Sequence, residues 1–496
     1  MTDETSADAS TTAEFEVSPI VHEPPSSERA MPWERIDWVA CAVLTTITII
    51  VVGLHVRAYP TLSPIDELQH IDYVIKAGDL DFPHGNDLVG QEALEEAACR
   101  GVDVSGYQPA ALRRSRVITR PLANSSAAPG SSGGPVESGP PVCGNDLHDP
   151  ADFQENGVNT AARQFPPYYL VTGVASRAVA ATGIVGSQVT AARVVGGLWA
   201  GAAWSVMWYA MSLLGVRRRQ RAVALALLIA TPLTLFHAAT VNVDAVLMLT
   251  GALALVATLK FEAGRLRGAL LMLVYFGLYL VEPTVFLAIC ASAAYLLARV
   301  TPRPDVATWK RILPLTVFPL VLALRLWFYR PLQQTLAPDS PVTNRPTMYV
   351  DNALPTGGID WSNVLAQLDA NFLPITKPYI PPFLDEPWTD VFIHLANWFL
   401  IGTLLIAAFR YLRDDRVVWL ARAAIVTLLA SGPFYTWSFA YFSEANFAAP
   451  GRFALPMIVF IAVVGAAAMR TRSAFVVGAV VAAGSLFNTV YLLATP

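Results

Sequence analysis

Apolar stretches about as long as a bilayer-crossing helix recur along this chain, separated by short polar connections. The first, residues 37–57, runs for about twenty residues, enough for the ~30 Å hydrocarbon layer. Further stretches follow at 187–214, 222–240, 243–259, 267–281, 283–299, 312–329, 391–410, 423–441, 453–469 and 473–493. Segment 166–183 is different. It opens on Pro166-Pro167, which suits a helix start, but carries Arg177 in its middle. Residues 1–36 hold eight acidic and two basic residues in a Ser/Thr/Ala/Pro-rich texture, which reads as a disordered tail and not a signal peptide. The pattern predicts an all-α polytopic membrane protein whose first span is an uncleaved signal anchor.

Composition agrees. Of 496 residues, 54% are hydrophobic and only 15% charged, with mean hydropathy +0.45, far from a soluble multidomain enzyme. Net charge is −4, so no basic surface is available for nucleic acid. Orientation follows from the basic residues. The connections 217–221, 260–267, 299–311, 410–422 and 470–472 carry 17 of the chain's 34 Lys and Arg, whereas the alternating ones carry Arg452 alone. Basic connections are retained on the cytoplasmic side. For all five to share that side, 166–183 must lie on the outer face as an amphipathic helix. About eleven transmembrane helices result, N-terminus in and C-terminus out, in a plasma (inner) membrane. Two long external loops, 58–186 and 330–390, flank the helices of 187–329, and 391–496 holds the last ones.

Four cysteines exclude a disulfide-scaffold protein. Cys41 and Cys290 fall inside spans and read as small apolar fillers. Cys99 and Cys143 lie in the first external loop, around a Ser/Gly/Pro-rich run, and either pair or remain free thiols. Pairing would stabilise the external part by roughly 4 kcal/mol in the chain-entropy model. In the second loop, Tyr379, Phe383 and Trp388 stand in a proline-rich strip that either stacks on a sugar or lies in the membrane interface.

Ionisable residues gather at the outer ends of the spans: Asp66, Glu67, His70, Asp244, Glu282, Glu444 and Arg452, with Arg325 near the outer end of its own span. Charges at such depth usually line a cavity. The densest group, Ser63-Pro64-Ile65-Asp66-Glu67-Leu68-Gln69-His70, follows the first span. Pro64 would open a short helix on which Asp66 or Glu67 shares a face with His70. Such a carboxylate–imidazole pair suits a divalent cation (Mg²⁺, Mn²⁺, Ca²⁺ or Zn²⁺), with a second carboxylate as general base; ordinary acids at a helix start are the alternative. Asn242 and Asp244 either line the cavity or cap the next span, and Glu282 before Pro283 likewise lines it or caps a helix. His237, in an apolar span, reads more readily as an interhelical donor than as a ligand.

Pro64-x-Asp66-Glu67-x-x-His70-x-x-Tyr73 resembles the signature of GT-C glycosyltransferases, membrane enzymes that take a sugar from a polyprenyl-phosphate carrier on the outer face. Gln164-Phe165-Pro166-Pro167-Tyr168-Tyr169, Ala192-Arg193-Val194, Asn242-Val243-Asp244 and Pro450-Gly451-Arg452-Phe453 with Pro456 are similar to later motifs and occur in the expected order. The likeness is to a bacterial subgroup and covers about 37–493. Val281-Glu282-Pro283 departs from it where a Lys often stands, as does Phe453 in place of Tyr. The resemblance implies Asp66 as general base on the acceptor hydroxyl, Glu67 placing a metal or the acceptor, His70 as metal ligand and Arg452 on the donor phosphate. Asn242, Asp244, Glu282, Arg325 and Glu444 would line the cavity. The implied partners are a polyprenyl-phosphate sugar and a glycan, lipid or protein acceptor, with transfer by inversion. A transporter or flippase is the alternative; it predicts broken helices and mid-span charges.

Overall fold

The computed structural model describes residues 33–63, 67–84, 87–101, 141–145, 147–302, 304–324, 327, 387–409, 416–443 and 451–495. Asp66, Arg325, Glu444, Tyr379 and Phe383 lie outside the described residues, as do most of the N-terminal tail and the Ser/Gly/Pro-rich run. The described chain is helical throughout, apart from one isolated bridge between Leu88 and Val158. Its α-helices in chain order are α1 (Arg35–Ala58), α2 (Glu67–Gly78), α3 (Gln91–Arg100), α4 (Pro167–Ala181), α5 (Gln188–Leu213), α6 (Arg218–Ile229), α7 (Pro232–Ala239), α8 (Leu247–Glu262), α9 (Gly268–Val281), α10 (Phe286–Arg299), α11 (Thr308–Ala323), α12 (Pro387–Phe409), α13 (Arg416–Ser443), α14 (Leu455–Ala468) and α15 (Arg472–Ala494).

Among the described residues the apolar stretches named above are largely helical, but they are not alike. Among the described residues four helices are long and apolar enough to cross a bilayer: Arg35–Ala58, Val243–Glu262, Arg416–Tyr435 and Arg472–Ala494. The bent pair α6–α7 makes a fifth if taken as one span. The shorter apolar helices Gly268–Val281, Pro283–Arg299, His394–Phe409 and Arg452–Ala468 fall below the ~20 residues a perpendicular crossing needs. The 68° bend between α6 and α7 has a local cause. Pro232 lacks the N–H that would continue α6, and Thr231 Oγ1 instead donates to the Leu228 carbonyl at 2.8 Å.

Position in the bundle explains composition. Helix α14 is apolar all round and buried along nearly its whole length, as a central helix must be. Helix α5 lies against α1, α4, α7 and α8, and its small residues let neighbours approach. A Cβ on Gly196 would strike the Ala238 carbonyl, and one on Gly201 would lie 2.5 Å from Thr45.

Polar contacts sort the helix termini into two ends. At one end Asp37 accepts from Trp208 Nε1 (2.9 Å), Arg218 (3.0 and 3.1 Å) and Arg221 (3.4 Å). Gln220 donates to the Met469 carbonyl. Glu262, ending α8, binds Arg299 at the end of α10 (3.2 Å) and Arg416 at the start of α13 (2.8 Å), and Arg416 reaches the Leu213 carbonyl that ends α5 (3.1 Å). The described ends of the five basic connections are therefore gathered by these contacts.

The opposite end carries a second, smaller core in which Leu68, Ile71, Val74, Leu94, Phe153, Tyr168 and Tyr169 pack on Val189, Val243 and Val246. Helices α2, α3 and α4 form this cap. Asp72 ties it together, accepting from Gly90 N (2.8 Å), Lys76 Nζ (2.8 Å) and Asn159 Nδ2 (2.6 Å). Cys99 and Cys143 form a disulfide, as the pairing alternative expected. Cys41 and Cys290 are free.

Candidate active site

Where α1 ends, Tyr59–Ser63 turns back over the bundle and delivers the chain to α2, whose first residue is Glu67. Glu67 is fully buried and its carboxylate is saturated. Oε1 accepts from Arg193 Nε (2.8 Å) and Val241 N (2.9 Å), and Oε2 from Arg193 Nη2 (2.8 Å) and Ser63 N (2.6 Å). Arg193 spends its remaining donors on the carbonyls of Tyr59 (3.1 Å), Pro60 (3.4 Å) and Thr61 (2.7 Å). A carboxylate has about four acceptor positions, and here all four are filled. So placed, the Glu67 carboxylate holds Tyr59–Ser63 to α5 and to the extended link after α7, a positioning contact beside the catalytic and metal-placing roles expected of it.

His70, one turn on, meets a different neighbour. Its Nδ1 lies 2.7 Å from Tyr169 Oη, and the Tyr169 ring stacks in turn on Tyr73 at 3.8 Å. Burial, then the charge of Arg452, push the His70 imidazole down to about 3, so it is neutral. Glu67 and His70 thus turn to separate partners and do not form the metal pair their spacing suggested. The described residues here do not fit a cation, and no step is derived through one.

Asp244, Arg452, His237 and Glu282 do come together. Asn242 caps the turn before α8, its Oδ1 accepting from Asp244 N at 2.9 Å. That settles Asn242 as a cap and leaves the Asp244 side chain facing Arg452, whose Nε is 3.2 Å from Asp244 Oδ2. His237 Nδ1 is 3.7 Å from the same oxygen, beyond hydrogen-bond reach, and neither ring nitrogen of this fully buried residue has a hydrogen-bond partner. Glu282 also caps a turn, accepting from Thr284 N at 3.3 Å through Oε1, while its buried Oε2 has no hydrogen-bond partner. Desolvation, then the Asp244 charge, raise the Glu282 carboxyl to about 7. Buried polar atoms left in this way cost on the order of 1–3 kcal/mol each.

Sequence reasoning placed Arg193 only as the residue opening a span, gave His237 an interhelical role, and named Tyr169 only as part of a motif at a helix start. The signal for Arg193 was present: an arginine six residues into an apolar helix must have a buried partner. No family model, curated protein or solved structure matches this chain.

Proposed function

We propose that the chain is an integral-membrane glycosyltransferase of the GT-C type, moving a sugar from a polyprenyl-phosphate donor to an envelope glycan, lipid or protein acceptor. The observation that supports this reading is the partly buried Arg452 guanidinium, 3.2 Å from Asp244, at the end opposite the basic connections. A guanidinium in a dry site suits a phosphate diester or monoester, which it grips through two parallel N–H bonds. Arg452 takes the donor phosphate and Asp244 orients Arg452. Asp66, next in sequence to the clamped Glu67, accepts the proton of the attacking hydroxyl. Base and phosphate on opposite sides of the anomeric carbon favour a single displacement with inversion. In this reading all eleven apolar segments cross the plasma membrane, the basic end is cytoplasmic and the site is external.

The test is transfer of radiolabel from a panel of polyprenyl-phosphate sugars by purified wild type, Asp66→Asn and Arg452→Ala. Wild type is expected to transfer label. Asp66→Asn should bind donor but transfer it about 10²–10⁴-fold more slowly, the usual worth of a general base. Full activity in Asp66→Asn would remove the base, and absence of donor binding by wild type would remove the reaction class. The break between α6 and α7 favours one other reading, a transporter of a lipid-linked or anionic substrate. Movement of labelled substrate across proteoliposomes without transfer, unaffected by Asp66→Asn, would decide for it.

A further inference from the structure

On the outer cap, away from the Arg452 cluster, four side chains that ligate metals meet. Glu95 and Cys99 stand one helical turn apart on α3 and share a face. Cys143 is bonded to Cys99, and Glu95 Oε1 lies 3.1 Å from Cys99 Sγ and 3.9 Å from Cys143 Sγ. The other Glu95 oxygen lies 2.5 Å from Nε2 of His148, a nearly buried side chain. Zinc bound tetrahedrally at ~2.0–2.3 Å sets neighbouring ligand atoms roughly 3.3–3.8 Å apart, within the range these donors bracket.

We infer that this cluster has a second chemical form: with the disulfide reduced, Cys99, Cys143, Glu95 and His148 bind one zinc ion. A dithiol reductant gives two electrons and two protons to the Cys99–Cys143 bond and is itself oxidised to a disulfide. Zinc then displaces the two thiol protons and takes both sulfurs as thiolates. Glu95 is oriented as a ligand, its carboxylate held between the Gly144 N–H (2.8 Å) and the His148 ring.

What makes reduction survivable is that the two segments are tied independently of sulfur. The Gln91 side chain accepts from His148 N (2.8 Å) and donates to His148 O (3.0 Å), fixing the histidine's main chain to α3. The His148 ring also packs edge-on against Phe153 at 5.7 Å. Losing the covalent bond leaves three of the four donors close to where zinc needs them. Either form would keep α3 docked, and Arg100 at its end reaches Ser187 Oγ (2.8 Å), Thr190 Oγ1 (3.0 Å) and the Pro60 carbonyl (3.3 Å), so the cross-link braces the turn that Glu67 pins.

The test titrates Zn²⁺ into the purified full-length protein, before and after reduction by a phosphine that does not compete for metal, and counts bound zinc by elemental analysis. One zinc per chain is expected after reduction and none before. Co²⁺ in place of zinc should give a sulfur-to-metal charge-transfer band in the reduced wild type, a readout that needs no variant. His148→Ala should weaken binding at least tenfold, and Cys99→Ser with Cys143→Ser should abolish it. Equal zinc uptake by oxidised and reduced protein, or no charge-transfer band on reduction, overturns the inference.

Discussion

Glu67 and Arg193 form the most consequential pair of side chains in the molecule, at 0% and 2% exposure. Two charges taken this far out of water depend on each other. Removing one strands the other at a cost of about 3–5 kcal/mol. Glu67→Gln is therefore expected to lower the melting temperature sharply in detergent, or to leave little folded protein. Arg193→Lys should do nearly the same, since an ammonium cannot span both carboxylate oxygens and three carbonyls. Asp66→Asn should melt like wild type. A wild-type melting curve for Glu67→Gln would show that the pair does not hold the turn. The i, i+3 spacing of Glu67 and His70 was legible in the sequence and says that they lie near one another on α2. It could not say that Glu67 meets an arginine 126 residues away while His70 meets a tyrosine 99 residues away. The partner decides whether a buried carboxylate is a reagent or a rivet, and partners come from tertiary structure.

Helix–helix contact on the cap depends on glycine. Gly173 of α4 crosses α2 so closely that a Cβ there would strike the Val74 carbonyl and lie 2.8 Å from Gly78 N. Gly173→Ala is expected to push α4 off α2 at a cost of about 1–3 kcal/mol, the usual penalty for overpacking. Because α4 carries Tyr169, the His70 contact should loosen with it, which cysteine cross-linking between α2 and α4 would register as a lower yield. Gly53→Ala, in α1 with open space around it, is the matched control and should not destabilise. Unchanged cross-linking in Gly173→Ala would mean that the crossing is softer than its geometry implies. At this scale the sequence was informative in part: apolar length located the long helices, but it took 222–240 as one stretch where the chain bends at Pro232, and it gave no sign of the polar helix α3. Depth was harder to read. Fourteen-residue helices such as α9 and α10 look like spans by hydropathy, yet their ends are set by Glu282 and the turn it caps.

The whole molecule is polarised, with arginine-rich connections at one end and the Arg452 cluster beneath a disulfide-bonded cap at the other. Membrane-impermeant maleimide applied from outside should label Asp81→Cys and spare Arg265→Cys, each in a Cys41→Ala, Cys290→Ala background. Labelling of Arg265→Cys alone would invert the proposed orientation. Charge counting along the sequence grouped the basic connections on one side, on the rule that short basic connections are sorted during insertion. The ion pairs at Asp37 and Glu262 that gather those connections were invisible to it, since each joins helices far apart in the chain. The long reach of the Glu67 clamp has a consequence in time. Val241, its most distant partner, is 174 residues downstream. At about 5–20 residues per second of synthesis, Glu67 waits on the order of ten seconds or more for its full set of donors. Until then the Glu67 carboxylate lacks the Val241 N–H, so the turn it holds completes only after the middle helices have been made.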